Sequence, residues 1–188
     1  MLIVLLFVLG FPLSVMFVLC AIYNGLVKLR NQCREAWSNV DTELKRRYDL
    51  IPNLVEVVKG YAKHEREVLA EVVRLRGVAL ASAGSPGSQA ADENHLVQGL
   101  RQLLAVAERY PDLKADRHYL ELQRELANTE DRIQAARRFY NANVRDYNTR
   151  TEQVPSNLIA NAFNFAPEEF FEIEPVAAAA PAVSLNPQ

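Results

Sequence analysis

An uninterrupted apolar run at the N-terminus constrains this chain more than any other feature. From Leu2 to Tyr23 the only ionisable side chains are those of Cys20 and Tyr23. As a helix this run is roughly 33 Å long, so it can cross a bilayer whose hydrocarbon core is about 30 Å thick. We therefore predict a single transmembrane anchor over residues 1–25, with lipid contact through residues 2–23.

A cleaved signal peptide is the competing interpretation of this run. Signal peptides begin with a basic segment and end at a cleavage site flanked by small residues. Here no lysine or arginine precedes the apolar run, and Leu19 is too large for lipoprotein processing at Cys20. We therefore expect the mature protein to retain the anchor.

Positive charge flanks the anchor on its C-terminal side, at Lys28, Arg30 and Arg34. Such cations favour the cytoplasmic side of a membrane and attract anionic lipid headgroups. These three residues are therefore candidate headgroup contacts. We expect a single-pass protein with an external N-terminus and a cytoplasmic body.

The residues beyond the anchor number about 160, enough for one domain with its own core. The formal net charge of −2 is not that of a nucleic-acid-binding protein. The two cysteines, Cys20 and Cys33, are too few for a disulfide framework or a zinc site.

Apolar residues recur at spacings of three and four through this body, which is the pattern of amphipathic helices. The first stripe crosses Pro52, where we expect a kink without loss of register, and it continues to Ala79. Ser82–Ala90 is expected to be a flexible loop, with Asp92 capping the next helix. The stripe of the last long helix consists of Tyr119, Leu122, Leu126, Thr129, Ile133, Ala136, Tyr140, Asn143 and Tyr147.

This periodicity predicts an all-α fold, in which a single N-terminal transmembrane helix is followed by an antiparallel long-helix bundle. We place the bundle at residues 26–174. Residues 175–188 are rich in alanine and proline and have little to bury, so they are predicted to form a disordered tail.

Several long motifs carry a family resemblance. They are AWSNVDTELKRRYDLIPNLVEVVKGYAKHE, YPDLKAD, LQRELANTEDRI, ARRFYNANVRDYN and PSNLIANAFNF. Together they resemble the signature of the LemA family, from Tyr23 to about Phe171. The resemblance implies an N-terminal membrane helix, a long-helix bundle, a bacterial inner-membrane location and no known catalytic activity. It also suggests a membrane zinc protease of the HtpX type as a partner, and related proteins take part in organising membrane compartments.

The sequence contains only fragments of known catalytic and metal-binding patterns. His64-Glu65 matches the start of the zinc-protease motif, but the position of the second histidine is occupied by Val68. His95 and His118 lack ligands at metal-binding spacing, and no nucleophile elbow or phosphate-binding glycine loop is present. We therefore expect no catalytic residue, no metal and no cofactor, and we place His64 on a helix surface.

Three consecutive cations, Lys45, Arg46 and Arg47, follow the first part of the stripe. Successive residues point about 100° apart around a helix, so the three cannot share one face. Arg47 falls near the apolar seam, where Asp49 or Glu130 could pair with it. Lys45 and Arg46 point outward, either as a solvated face or as a docking surface for an acidic partner.

Two further groups of side chains remain open to more than one interpretation. Arg47, Asn141, Asn143 and Tyr147 are predicted to form an interhelix polar cluster, with a small-ligand cleft as the alternative. The aromatic residues near the C-terminus are predicted to cover an open end of the bundle, with a membrane or partner contact as the alternative. They are Phe163, Phe165, Phe170 and Phe171.

These features favour a membrane-anchored scaffold or adaptor that presents a surface to another membrane-associated protein or to a second copy of itself. A sensor that binds a small ligand between its helices is the alternative from a second class. An enzyme of unknown chemistry is the alternative from a third.

Overall fold

The computed structural model describes residues 2–176, with side chains described from Gly10 onward. Within these residues the chain is helical and contains no strand. The prediction of an all-α fold with one long apolar N-terminal helix and helical-bundle packing is confirmed. Residues 177–188 of the expected tail lie outside the described residues. The helices are α1 (Leu2–Tyr61), α2 (Arg66–Ala81), α3 (Pro86–Ala107), α4 (Pro111–Ala115), α5 (Arg117–Glu152) and α6 (Ser156–Ala162).

Helix α1 carries the first predicted stripe into the core. Leu26, Val40, Leu44 and Ile51 on this stripe are fully buried. The helix continues through Pro52 to Tyr61, as the unbroken register predicts. Its apolar face thus packs along nearly its whole length beyond the N-terminal segment.

Pro52 lies in the interior of α1 and has no N–H to donate to the carbonyl oxygen of Tyr48. Arg76 on α2 supplies the missing donor, since its Nε donates to that oxygen at 2.6 Å. An unsatisfied carbonyl would be costly in this half-buried position. The proline is therefore accommodated by a side chain from a different helix.

The first stripe does not continue in one helix to Ala79, as the sequence analysis expected. Helix α1 ends at Tyr61, and an exposed turn over Lys63 and His64 precedes α2. Leu69 and Val72 are buried in α2, whereas Val68 is only half-buried. Two helices separated by a short turn can preserve a three-four spacing, and residues 62–65 contain no glycine or proline to mark the break.

The expected loop over Ser82–Ala90 is also shorter than predicted, because α3 begins at Pro86. Ser85 is the N-cap, and its hydroxyl oxygen accepts a hydrogen bond from the backbone N–H of Ser88. Proline at the first helical position is well suited to this start. Asp92, expected to be the cap, lies inside the helix instead.

The described chain divides into two compact units. The first unit combines the residues up to Ser38 with Phe139–Phe170, and the second combines Asn39–Arg138 with the residues from Phe171 onward. Helices α1 and α5 therefore contribute to both units. In the second unit, α2 and α3 pack against each other, and a Cβ on Gly99 would lie 2.8 Å from Cδ1 of Leu75.

An irregular segment, residues 166–176, follows α6 and is bound by side chains from the helices. In the first unit, the Asn148 side chain donates to the carbonyl of Glu168 and accepts from its N–H, both at 2.9 Å. Tyr147 donates to the carbonyl of Ala166, and Tyr140 donates to that of Glu169. Helical side chains thus replace the backbone partners that a strand would have.

The second unit binds its own part of this segment in a similar way. Asn94 on α3 donates to the carbonyl of Glu172 and accepts from the N–H of Glu174. Arg101 pairs with the Glu174 carboxylate at 2.8 Å, and Arg137 donates to the carbonyl of Ile173 at 2.6 Å. Apolar anchoring accompanies these bonds, because Phe171, Ile173 and Val176 are buried.

Candidate functional site: a buried charged cluster and an open groove on the second unit

The centre of the second unit contains a buried charged cluster formed by Arg47, Tyr48, Glu93 and Glu130. Arg47, on the apolar face of α1, is fully buried. Its Nη1 donates to Oε1 of Glu130 on α5 at 2.9 Å, and its Nη2 donates to Oε2 of Glu93 on α3. One guanidinium therefore links three helices that are distant in sequence.

Tyr48 completes the cluster beside Arg47. Its hydroxyl donates to Oε1 of Glu93 and lies 3.5 Å from the carbonyl oxygen of Ala79. Burial, reinforced by the negative charge of Glu93, raises the pKa of the Tyr48 hydroxyl well above its ordinary value. The phenol therefore remains protonated and acts as a donor.

The charges in the cluster do not balance, since two carboxylates share one guanidinium. Burial raises the pKa of Glu93, and this effect exceeds the opposing attraction of Arg47 and the hydrogen bond from Tyr48. Burial acts to lower the pKa of Arg47, but the attraction of Glu93 and Glu130 outweighs it, so the pKa of Arg47 is raised. The guanidinium is therefore permanently charged, while Glu93 has an increased tendency to take up a proton.

The cluster is suited to holding helices in register rather than to chemistry on a substrate. Its polar groups bond mainly to one another, and Arg47 is inaccessible to solvent. Buried ion pairs contribute little net stability over apolar replacements, but the loss of one partner is strongly destabilising. Its role is therefore best described as fixing the alignment of α1, α3 and α5.

One of the two partners of Arg47 was predicted from the sequence, and the other was not. Glu130 pairs with Arg47 as one of the two predicted alternatives, whereas Asp49 is exposed. Glu93 was not predicted because the helix was expected to begin after a cap at Asp92, which places Glu93 at the exposed start of the helix, whereas α3 begins at Pro86 and buries Glu93 in its interior. The available signal was the spacing of Gln89, Glu93, Leu96 and Leu100, all of which are buried on one face of α3.

An open groove runs along the surface between α1 and α5 in the second unit. It consists of two adjoining depressions of about 730 Å³ and about 380 Å³, and Glu125 and Asn128 line both. Acidic, basic and apolar side chains line it, including Arg46, Leu50 and Arg132. We call this feature the α1–α5 groove.

The two predicted docking residues have different positions relative to this groove. Arg46 lines it and lies 3.6 Å from Glu43, one turn earlier in α1. Lys45 is highly exposed and pairs with Asp41 at 2.7 Å. Surface ion pairs of this kind contribute at most about 1 kcal/mol, so both cations can exchange their partners readily.

The other residues of the predicted polar cluster belong to the first unit, whereas Arg47 belongs to the second. Tyr147 donates to the carbonyl of Ala166, and Asn143 donates to the carbonyl of Phe139 on its own helix. Asn141 is half-buried on α5. The hydrogen bonds of Arg47, Asn143 and Tyr147 thus lead to different partners.

The candidate headgroup contacts are all located on α1. Lys28 and Arg34 are exposed, whereas Arg30 is half-buried with its guanidinium 4.8 Å from the ring centroid of Phe165. His64 is exposed in the turn between α1 and α2. Within the described part of the chain, no group of three or more His, Cys, Asp or Glu side chains is arranged to hold a metal ion.

These features define an all-helical protein with one long N-terminal helix whose apolar part meets the length and composition needed to cross a membrane. The chain belongs to the LemA family, whose model matches residues 36–185. It is 27% identical to magnetosome protein MamQ 1 of Paramagnetospirillum magneticum over 180 residues, covering 81% of this chain and 65% of that protein. It is 28% identical to protein LemA of Metamycoplasma hominis over 157 residues, covering 81% of this chain and 71% of that protein. This chain therefore spans about 65% of the length of the magnetosome relative.

Proposed function

We propose that this protein is a membrane-anchored, non-catalytic scaffold whose helical body presents a docking surface on the cytoplasmic side of a bacterial inner membrane. One observation carries the proposal. Helix α1 is a single helix in which an exposed apolar segment leads directly into the buried core, which begins at Ile22. A helix shared in this way ties the body to the bilayer without a flexible linker.

The exposure of the apolar segment supports its insertion into lipid. Phe11, Leu13 and Phe17 are more than 60% exposed, although they belong to the most apolar part of the chain. Exposing such side chains to water forfeits about 1.5–3 kcal/mol each compared with burying them. A bilayer provides the missing apolar environment.

Retention of the anchor distinguishes this proposal from a cleaved signal sequence. Intact-mass measurement of protein purified from membranes should give the mass of a chain that includes Met1–Tyr23. Loss of about 20 N-terminal residues would refute the anchor. Protease added to spheroplasts should leave the body intact, and its digestion would place the body outside the cytoplasm.

The α1–α5 groove is the docking surface that we assign to the scaffold. Its lining mixes charged and apolar side chains, as transient protein interfaces do. The proposed partner is another membrane-associated protein, with an HtpX-type protease and a second copy of this chain as the named candidates. Arg46 lines the groove and Lys45 adjoins it in sequence, so both should steer an acidic partner toward it.

A charge reversal with a matched control tests this surface. Lys45→Glu with Arg46→Glu should reduce the amount of partner crosslinked in native membranes, with a larger loss at low salt. Lys59→Glu with Lys63→Glu makes the same change in net charge outside the groove and should leave the yield unchanged. Lys59, like Arg46, has an acidic neighbour three residues earlier at 3.6 Å, and Lys63, like Lys45, is exposed. Equal losses from both pairs would refute the groove as the docking surface.

The non-catalytic part of the proposal has its own test. His64→Ala should leave cellular function unchanged, because the side chain is exposed in a turn. A folded His64→Ala protein that loses its cellular function would contradict the scaffold and favour a chemical role.

A further inference from the structure

The first unit exposes a second apolar surface at the end of α6. Val154 is 81% exposed, Leu158 66% and Phe163 58%. On α6, Leu158 and Ala162 are exposed, whereas Ile159 and Ala160 are buried. We call Val154, Leu158, Phe163 and the adjacent Tyr23 the apolar foot.

The composition of this segment sets it apart from the rest of the body. Residues 153–166 contain no charged side chain, in a protein of which 23% is charged. Contiguous exposed apolar residues without intervening charge mark an interface in soluble and membrane proteins alike. We therefore expect another surface to cover the foot.

Contacts with α1 fix the position of the foot. The ring of Phe163 lies 5.0 Å from that of Tyr23, and the ring of Phe165 lies 5.5 Å from it, both edge to face. The guanidinium of Arg30 packs over the ring of Phe165. These contacts hold α6 beside α1 at the point where its exposed apolar segment ends.

Continuity with the anchor identifies the occupant. Leu19 is one helical turn before Tyr23, and it belongs to the segment that we assign to the bilayer. Tyr23 and Phe163 therefore lie at the depth of the membrane interface, where aromatic side chains are enriched. The exposed Lys28, just beyond Tyr23 on α1, is at the level of the lipid headgroups.

We infer that the apolar foot inserts into the interfacial region of the same bilayer leaflet that the anchor enters, and forms a second membrane contact. This inference rests on the proposed membrane anchoring. Amphipathic helices that lie in a membrane interface bury their apolar face about 5–10 Å into the headgroup–acyl boundary. Together with the anchor, the foot would limit tilting and rotation of the first unit on the membrane.

Depth-dependent fluorescence quenching tests the inference on the full chain in lipid nanodiscs. Single cysteines are introduced at three sites, as Met16→Cys, Leu158→Cys and Phe139→Cys, in a background from which both native cysteines are removed by Cys20→Ser and Cys33→Ala. Each is labelled with an environment-sensitive dye. Phe139 is the matched control, because it is 58% exposed in the same unit but lies on α5 well before its C-terminal end. Circular dichroism verifies that each labelled protein retains its helicity.

The expected pattern separates the inference from the proposed anchor. The label at position 16 should be quenched by nitroxides deep in the acyl chains. The label at position 158 should be quenched severalfold more by nitroxides near the headgroups than by nitroxides deep in the acyl chains. The label at 139 should respond to neither. Quenching at 16 but not at 158 would overturn the foot while leaving the anchor intact, whereas no quenching at 16 would overturn both. A blue-shifted but unquenched label at 158 would show that a second protein copy covers the foot, and would also overturn the inference.

Discussion

The two units satisfy their buried polar groups by different chemistry. The second unit holds α1, α3 and α5 together with ionised side chains at the Arg47 cluster. The first unit uses the neutral side chains of Asn148, Tyr140 and Tyr147, which bond to backbone groups of the irregular segment. Removing a neutral donor leaves an unpaired carbonyl, whereas removing a buried cation leaves unpaired charges, which cost much more. The second unit should therefore be the more sensitive to single polar substitutions.

Arg47→Leu should produce the largest effect, because it leaves Glu93 and Glu130 without their shared cation. We expect a loss of about 3–5 kcal/mol in the free energy of unfolding. Chemical denaturation in detergent micelles, followed by circular dichroism, measures this loss. Arg46→Leu is the control at the next position, where the side chain is 54% exposed, and should change stability by less than about 0.5 kcal/mol. Similar effects at both positions would show that the cluster is not the centre of the unit.

Asn148→Ala should have a smaller and more local effect in the first unit. The substitution removes two hydrogen bonds to the backbone of Glu168, with an expected cost of about 1–3 kcal/mol. Hydrogen exchange should show loss of protection at the Glu168 amide. Trp37, the single tryptophan, packs against Tyr140 in this unit with the ring centroids 5.1 Å apart, and its fluorescence should report the change. Asn128→Ala on the exposed face of the same helix is the control. If Asn128→Ala reduced protection of the Glu168 amide as much as Asn148→Ala does, the assigned hydrogen bonds would be wrong.

A double-mutant cycle between Pro52 and Arg76 should reveal a coupling of about 1 kcal/mol within the second unit. Arg76→Met removes the donor to the carbonyl oxygen of Tyr48. In a Pro52→Ala background, the restored N–H at position 52 can donate to the same oxygen, so loss of the guanidinium should cost less. Urea denaturation of the four proteins measures the coupling. Strict additivity would mean that Arg76 does not compensate for the proline.

The pH dependence of stability should show the smallest effect, and it concerns the charged cluster of the second unit. Burial raises the pKa of Glu93 above its ordinary value of 4.5, so the folded protein binds this proton more tightly than the unfolded chain does. Its contribution to stability is therefore present at low pH and is lost as the pH rises through the folded pKa. Glu93→Gln, which keeps an acceptor for Tyr48, should remove this decline. Denaturation midpoints of parent and variant at about pH 5 and about pH 8 measure the loss of stability with rising pH in each protein. Equal losses in the two proteins would show that Glu93 is not its source.

Much of the fold could be predicted because helical periodicity is local. The stripes containing Leu44 and Ile133 identify buried faces correctly, and both residues are fully buried. Interruptions were harder to place. The break before α2 lacks a glycine or proline, and the Ser85-Pro86 start of α3 resembled part of a flexible loop. Cap geometry depends on backbone torsion angles that composition alone does not fix.

The sequence by itself determined the apolar N-terminal helix, the helical class and the outward position of Lys45 and Arg46. Each of these depends on residues within a few turns of one another. Only the tertiary structure selected Glu130 over Asp49 as a partner of Arg47 and added Glu93, 46 positions away. It alone also showed that Arg76 compensates for Pro52. It also showed that Phe163 packs against Tyr23 and that the side chains of Asn94 and Asn148 bind the segment after α6. The physical reason is that hydrogen bonds, ion pairs and ring contacts act over a few ångströms, so partners distant in the chain become defined only once the helices have packed.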